Sequence, residues 1–233
     1  KDMIGFLGGM GTQAGLDICN KLAVLYRGKQ DQQYPKFILY NKSDTPKRPE
    51  NLKKYYNVLK ELVKGCKLLE KNKCKFIVMP CNTAHFWHDD LKKKVKIPIL
   101  SMPEEVYNHT KKSCKINSQI GILATETTLN AKIYHKYFNK RFKLLSPPLN
   151  IQKKNVNKAI KFVKMGNVRK AEKMIKPAVD YLIKVNCKKI ILGCTELPIA
   201  IFAFKSFKKI KTSKIFLDPN LILAHAAMKK HRK

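Results

Sequence analysis

Two cysteines carry the chemistry that this sequence offers most plainly. Cys81 sits in "FIVMPCNTAHFW" and Cys194 in "IILGCTELPIA", each where an apolar run stops and polar residues begin, and each preceded seven positions earlier by another cysteine, Cys74 and Cys187. A single strand-ending cysteine is more often a small buried hydrophobe than a reagent. A matched pair asks for a different account. A thiolate is a base as well as a nucleophile, with an ordinary pKa of about 8.5 that falls at a helix N-terminus. One thiolate removing a proton from a carbon, with a thiol on the opposite face returning one, inverts a stereocentre, and that reaction is symmetric in the way the sequence is. The residues that follow, "NTAH" and "TELP", read as helix openings, where unpaired backbone N–H groups hold a carboxylate or a developing oxyanion.

The elements that must position these thiols alternate between strand and helix. "MIGFLGG" (3–9) is a short apolar run that stops at glycines, and the spacing of Leu16, Cys19, Leu22, Ala23 and Leu25 predicts a helix after it. "KFILYN" (36–41) predicts a second strand, followed by the polar loop "KSDTPKRPE". Residues 51–72 place Leu52, Tyr55 or Tyr56, Leu59, Leu62 or Val63, Cys66 and Leu69 on one stripe, an amphipathic helix. The strand "KFIVMP" then delivers Cys81. The second half repeats this order: "QIGILAT" (119–125) echoes the first strand, and an amphipathic helix leads into the strand that ends at Cys194. The pattern predicts an α/β fold of two duplicated, pseudo-symmetric lobes, each a parallel sheet flanked by helices. Ligands of such sheets bind at the carboxyl edge of the strands. Two such lobes facing each other would bring the thiols together across an inter-lobe cleft.

Composition narrows the partners. The chain has 233 residues, 44% of them hydrophobic, enough for a folded protein with one large core or two modest ones. No apolar run reaches the roughly 20 residues needed to span a bilayer, and the first residues lack the order of a signal peptide. Seven cysteines without paired C-x-x-C spacing argue against a disulfide framework and a zinc site, so a reducing cytoplasm and no membrane are expected. The formal charge is +33, from 49 Lys plus Arg against 16 Asp plus Glu, yet only five of the 49 are Arg and they form no basic arm. A solvated lysine-rich surface is the expectation, with a polyanion contact as the alternative and nucleic acid not expected as a partner. The "GGMG" turn lacks the G-x-G-x-x-G spacing of a dinucleotide site.

The stretches "IGFLGGMG", "MPCNTAH", "GILATETT", "LGCTELP" and "DPNLILAHAA", in this order along essentially the whole chain, together resemble the aspartate/glutamate racemase family, and within it the aspartate racemase and broad-specificity amino-acid racemase branch. The resemblance implies a two-base racemase that uses no cofactor, pyridoxal phosphate included, acts on a small free amino acid and works as a homodimer. It implies Cys81 and Cys194 as the acid/base pair, each serving one enantiomer. Asn82, Thr83 and Thr195, with Thr125 and Thr128, would bind the substrate α-carboxylate or ammonium, and Met10 and Gly11 would line the floor through their backbone. Arg48 would hold the distal carboxylate, since a guanidinium matches a carboxylate in bidentate fashion. Lys164 would be a second cationic contact. Glu196 would orient Cys194 or the ammonium, with helix capping as the plain alternative. His85 would tune Cys81, donate to the substrate, or serve structure at a helix N-terminus. Cys19, Cys66, Cys74, Cys114 and Cys187 are expected in the core.

Two departures from the family pattern stand out. The segment Pro46-Lys47-Arg48-Pro49 replaces a common Pro-Asp-Arg-Thr, and Thr12 and Gly15 stand where relatives often have proline and a hydroxyl residue. If the last helix packs back on the first lobe, the lobes are 1–103 plus 214–233 and 104–213, with crossings near 101–105 and 211–215. Relatives of similar architecture include hydantoin racemases, maleate isomerases and arylmalonate decarboxylases. Retention of both thiols together with Arg48 favours racemisation of a dicarboxylate such as aspartate or glutamate. A non-enzymatic, polyanion-binding protein on the same fold is the remaining alternative.

Overall fold

The computed structural model describes residues 2–48, 56–202 and 214–232. Of the positions discussed above, Leu52, Tyr55, Pro49 and Lys211 lie outside the described residues. The chain divides into two compact units, Lys1–Glu105 with Asn220–Lys233, and Val106–Pro219.

The first unit is built on a parallel sheet with strand order β2-β1-β3. The strands are β1 (Met3–Gly8), β2 (Phe37–Asn41) and β3 (Cys74–Val78). Alternate residues of a strand face opposite sides, and both faces here are covered, so β1 and β3 read as nearly unbroken apolar runs. One face presents Ile4, Phe6, Phe76 and Val78, packed with Ile18, Cys19 and Leu22 of α1 (Thr12–Tyr26) and with Leu223, Ala224 and Ala227 of the terminal helix Pro219–His231. Asn220 fastens that helix to α1 by donating from Nδ2 to the Ala14 carbonyl at 3.2 Å and to Asp17 Oδ2 at 2.9 Å. The amphipathic α2 (Tyr56–Lys71) turns Val58, Leu62, Cys66 and Leu69 into the interior. After Cys81 come a 3₁₀ turn (Thr83–Trp87), α3 (His88–Lys94) and α4 (Met102–Thr110). A parallel bridge between Ile77 and Ile99 continues the sheet order by one short segment.

The second unit repeats this plan. Its parallel sheet runs β5-β4-β6-β7, with β4 (Gln119–Ala124), β5 (Lys143–Leu145), β6 (Lys189–Gly193) and β7 (Phe216–Leu217). The first strand has a neighbour on each side in both sheets: the second strand on one side and, on the other, the strand that leads to Cys81 or Cys194. Even the outermost segment corresponds: β7 pairs with β6 as Ile99 bridges to Ile77. Short helices α5 (Glu126–Asn130), α6 (His135–Phe138) and α7 (Leu149–Ile151) precede α8 (Asn157–Lys164), which enters through a π-helical turn at Gln152–Val156. Helix α9 (Val168–Lys184) buries Ala171, Ile175, Ala178, Val179 and Leu182 against Leu123, Ile190 and Leu192 of the sheet. Beyond Cys194 lies α10 (Leu197–Phe202), and Pro219–His231 is α11.

Two elements differ from the sequence expectation. β5 and β7 have only three and two residues, too short for alternation to reveal them. Because Phe216 and Leu217 pair with Ile190 and Ile191, the second sheet extends past the expected boundary at 213/214. None of the seven cysteines is disulfide-bonded, and Cys19, Cys66, Cys74, Cys114 and Cys187 are all buried. Burial pushes the thiols of Cys19 and Cys187 up to about 11 and that of Cys66 to about 12, which makes them poor reagents and good core residues.

Candidate active site

In the first unit the carboxyl edge gathers three segments. Leaving β1, the chain turns at Gly9 with φ +89°, where only glycine fits, and Met10 and Gly11 lead into α1, Gly11 being its N-cap residue. Leaving β2, the loop from Lys42 carries Arg48, whose Nη2 donates to the Met10 carbonyl at 3.0 Å and whose Nη1 donates to the Pro46 carbonyl at 3.2 Å. Arg48 and Met10, each expected separately as a substrate contact, are thus joined directly. Leaving β3 three residues earlier, the chain delivers Cys81, 6% exposed, followed by buried Asn82 and Thr83.

His85 holds Cys81 by its backbone. The Met102 N–H donates to Nε2 at 3.0 Å, which fixes that nitrogen as the acceptor, so Nδ1–H is the donor to the Cys81 carbonyl at 2.8 Å. Both ring nitrogens therefore serve backbone groups, which favours the structural alternative for this histidine over contact with the thiol or substrate. Complete burial, reinforced by the nearby His88, drops its pKa from 6.5 to about 4. The sign follows: the unfolded chain takes up a proton between about pH 6.5 and about 4 that the folded protein refuses. Folding stability is therefore expected to fall as pH drops through that window, and His85→Gln to flatten the fall. Thermal unfolding of both proteins across that window measures the difference.

In the second unit the register of the sheet does the assembling. Ala124 of β4 pairs with Gly193 of β6, so Thr125 and Cys194 each begin one residue past a registered pair, on adjacent strands. Adjacent strands run about 4.8 Å apart. Thr125 caps α5: its Oγ1 accepts from the Thr128 N–H at 3.2 Å and donates to Thr128 Oγ1 at 3.0 Å. Cys194, 7% exposed, donates from Sγ to Glu196 Oε2 at 2.9 Å, and Thr195 Oγ1 donates to the same oxygen at 3.3 Å. The other carboxylate oxygen lies 3.7 Å from Lys164 Nζ, which α8 brings over from its C-terminal end. The structure thus places Cys194, Thr195, Glu196 and Lys164 in one contact chain. Burial first, then the charge and hydrogen bond of Glu196, raise the Cys194 thiol well above the ordinary cysteine range and hold it protonated. Lys164 and the Glu196 backbone N–H oppose that shift.

The profile of the Asp/Glu/hydantoin racemase family matches residues 7–227, with both cysteine segments inside it. The chain belongs to this family. A broad specificity amino-acid racemase of Bacillus subtilis (strain 168) is 27% identical to this chain over 202 residues, covering 84% of this chain and 86% of that one. The structure of the Picrophilus torridus aspartate racemase superposes with a TM-score of 0.84 at 27% identity, over 100% of this chain and 95% of the other. A glutamate racemase from Bacillus anthracis, at 17% identity, shares the fold with a TM-score of 0.73, over 99% of this chain and 82% of its own.

Two further polar features of this racemase-family chain carry no sequence motif. Lys42 is a buried lysine whose Nζ meets Glu61 Oε2 at 2.7 Å and Asp44 Oδ2 at 2.8 Å, pinning the start of the Arg48 loop to α2. Its hydrogen bond and that of Lys64 hold the Glu61 carboxyl down to about 2. Nothing in the sequence distinguishes this lysine from the other 43, because only the fold buries it. Gln152 and Asn157 form the second feature, on the π-helical turn, in contact with Ala124 and Glu126.

Proposed function

We propose that the protein is a racemase of acidic amino acids, aspartate or glutamate, working without a cofactor by proton transfer between the substrate Cα and two cysteines. One observation carries this reading: Cys81 and Cys194 emerge from equivalent strands of two sheets with the same order, at the edge where such sheets bind ligands. Membership of the family and the names of the relatives support it.

In one direction Cys81, as thiolate, takes the Cα proton, and Cys194, already a hydrogen-bonded thiol, delivers a proton to the opposite face. The thiolate then left on Cys194 faces Lys164 and the Glu196 backbone N–H, both of which favour its charge. In the other direction Cys194 must lose its proton first, and the Glu196 carboxylate at 2.9 Å is placed to take it. Glu196→Gln is expected to slow catalysis about tenfold or more and to move the pH dependence of kcat, because the amide cannot accept that proton; an unchanged kcat profile contradicts the role.

Thr125, Thr128, Asn82, Thr83 and Thr195 supply hydroxyl and amide groups for the α-carboxylate and ammonium, and Arg48 and Lys164 the charge for the distal carboxylate. A guanidinium carries five N–H donors, so the bonds of Arg48 to the Met10 and Pro46 carbonyls are compatible with a bidentate grip on a carboxylate. A homodimer, as the resemblance implies, and a reducing cytoplasm suited to seven unbridged cysteines belong to the same proposal. The test is to incubate the protein separately with L-aspartate and L-glutamate and follow the D-enantiomer by chiral chromatography. Formation of the D-form from at least one is expected, and none from either overturns the reading.

A further inference from the structure

The π-helical turn ahead of α8 has an identifiable consequence. In a regular α-helix two side chains five positions apart point about 140° away from each other. Here the Asn157 N–H donates to the Gln152 carbonyl, the i to i+5 bond of a π turn, and the side chains of Gln152 and Asn157 meet on one face, Nε2 to Oδ1 at 2.8 Å. From that face they reach the end of β4. Gln152, 2% exposed, also donates from Nε2 to the Ala124 carbonyl at 2.9 Å, and Asn157 donates from Nδ2 to Glu126 Oε1 at 2.5 Å. The polarity of this chain is dictated at its two ends, because a carbonyl and a carboxylate can only accept. Residues 124 and 126 are thereby tied from one side while Thr125 is tied to Thr128 from the other.

We propose that Gln152, Asn157 and Glu126 are positioning residues, a polar brace created by the π turn that holds Thr125 and Thr128 in the geometry that binds the substrate. This rests on the assignment of those threonines to substrate binding made above. None of the three touches the reacting atoms. Their effect is on the loop, so it falls on binding more than on the proton transfers, and the pH profile of kcat stays that of the parent.

The test compares Asn157→Leu, Glu126→Leu and Glu126→Gln in the full chain, reading KM, kcat and backbone amide exchange of residues 125–130. Loss of a hydrogen bond to a charged group is expected to raise KM for aspartate or glutamate about tenfold in Asn157→Leu and Glu126→Leu, with kcat within about threefold of the parent. Amide exchange over 125–130 quickens in both. Glu126→Gln keeps an acceptor for Asn157 and recovers most of the parental KM. Deletion of the exposed Lys154, which removes the extra residue of the π turn, reproduces Asn157→Leu. Unchanged amide exchange in a folded Asn157→Leu protein overturns the brace, as does quickened exchange with an unchanged KM. Should the parent racemise neither amino acid, the proposed function falls by itself, and the amide exchange of Asn157→Leu still upholds or overturns the brace.

Discussion

Cys81→Ser and Cys194→Ser are each expected to lower kcat/KM by roughly 10³-fold or more, in both directions at once, while leaving the melting temperature nearly unchanged. A serine hydroxyl is close in shape to the thiol but is a far weaker acid, so the proton can be neither taken nor given at a useful rate. Both directions fall together because the enantiomers have equal free energies, which ties their kcat/KM values to each other. At Cys194 the substitution keeps a hydroxyl donor facing Glu196 Oε2, so the loss reports chemistry, not folding. Residual activity within tenfold of the parent in either variant would remove that thiol from the proton path. Polarimetric or circular-dichroic assays from each enantiomer give the comparison.

Gly9→Ala is expected to be the most damaging single-methyl change in the first unit. At φ +89° an added Cβ would stand 2.2 Å from the Lys42 carbonyl carbon and 2.3 Å from its oxygen. That backbone cannot give way easily, since Lys42 Nζ is bound to Glu61 and Asp44 and the Thr45 hydroxyl donates to the Lys42 carbonyl at 2.8 Å. Strain and overlap together are expected to cost about 3 kcal/mol or more. Gly166→Ala is the control: its φ is +76°, but nothing lies within 4 Å of the added atom, so only the backbone term of about 1 to 2 kcal/mol remains. Denaturant unfolding of the two variants separates overlap from strain. A folded Gly9→Ala protein should also bind substrate less well, because Met10, the anchor of Arg48, is the next residue.

What could be foreseen from the residues follows the same physics. The two cysteines were legible because parallel strands buried on both faces stand out as apolar runs, and each thiol closes one; the strand pairings put β3 and β6 in equivalent places. The contact of Glu196 with Cys194 was also within reach, since two residues past a strand end leave few directions for a side chain. Arg48 was visible as a charged residue in a proline-bearing loop, yet its anchorage on Met10 depends on the register that sets β1 beside β2, which no local pattern encodes. The brace was hidden for a sharper reason: a regular helix of 3.6 residues per turn puts Gln152 and Asn157 on different faces, and only the inserted π turn aligns them. β5 and β7 were too short to carry a period.

The most direct measurement is a racemisation started from one pure enantiomer of aspartate or glutamate in D₂O, stopped early, with deuterium at Cα measured separately in the product and in the recovered starting enantiomer. Two thiols with separate protons predict deuterium in the product and almost none in the recovered substrate, with the product label lost in the Cys81→Ala/Cys194→Ala protein. Equal early labelling of the two enantiomers, or labelling that persists in the doubly substituted protein, would contradict proton transfer by this cysteine pair.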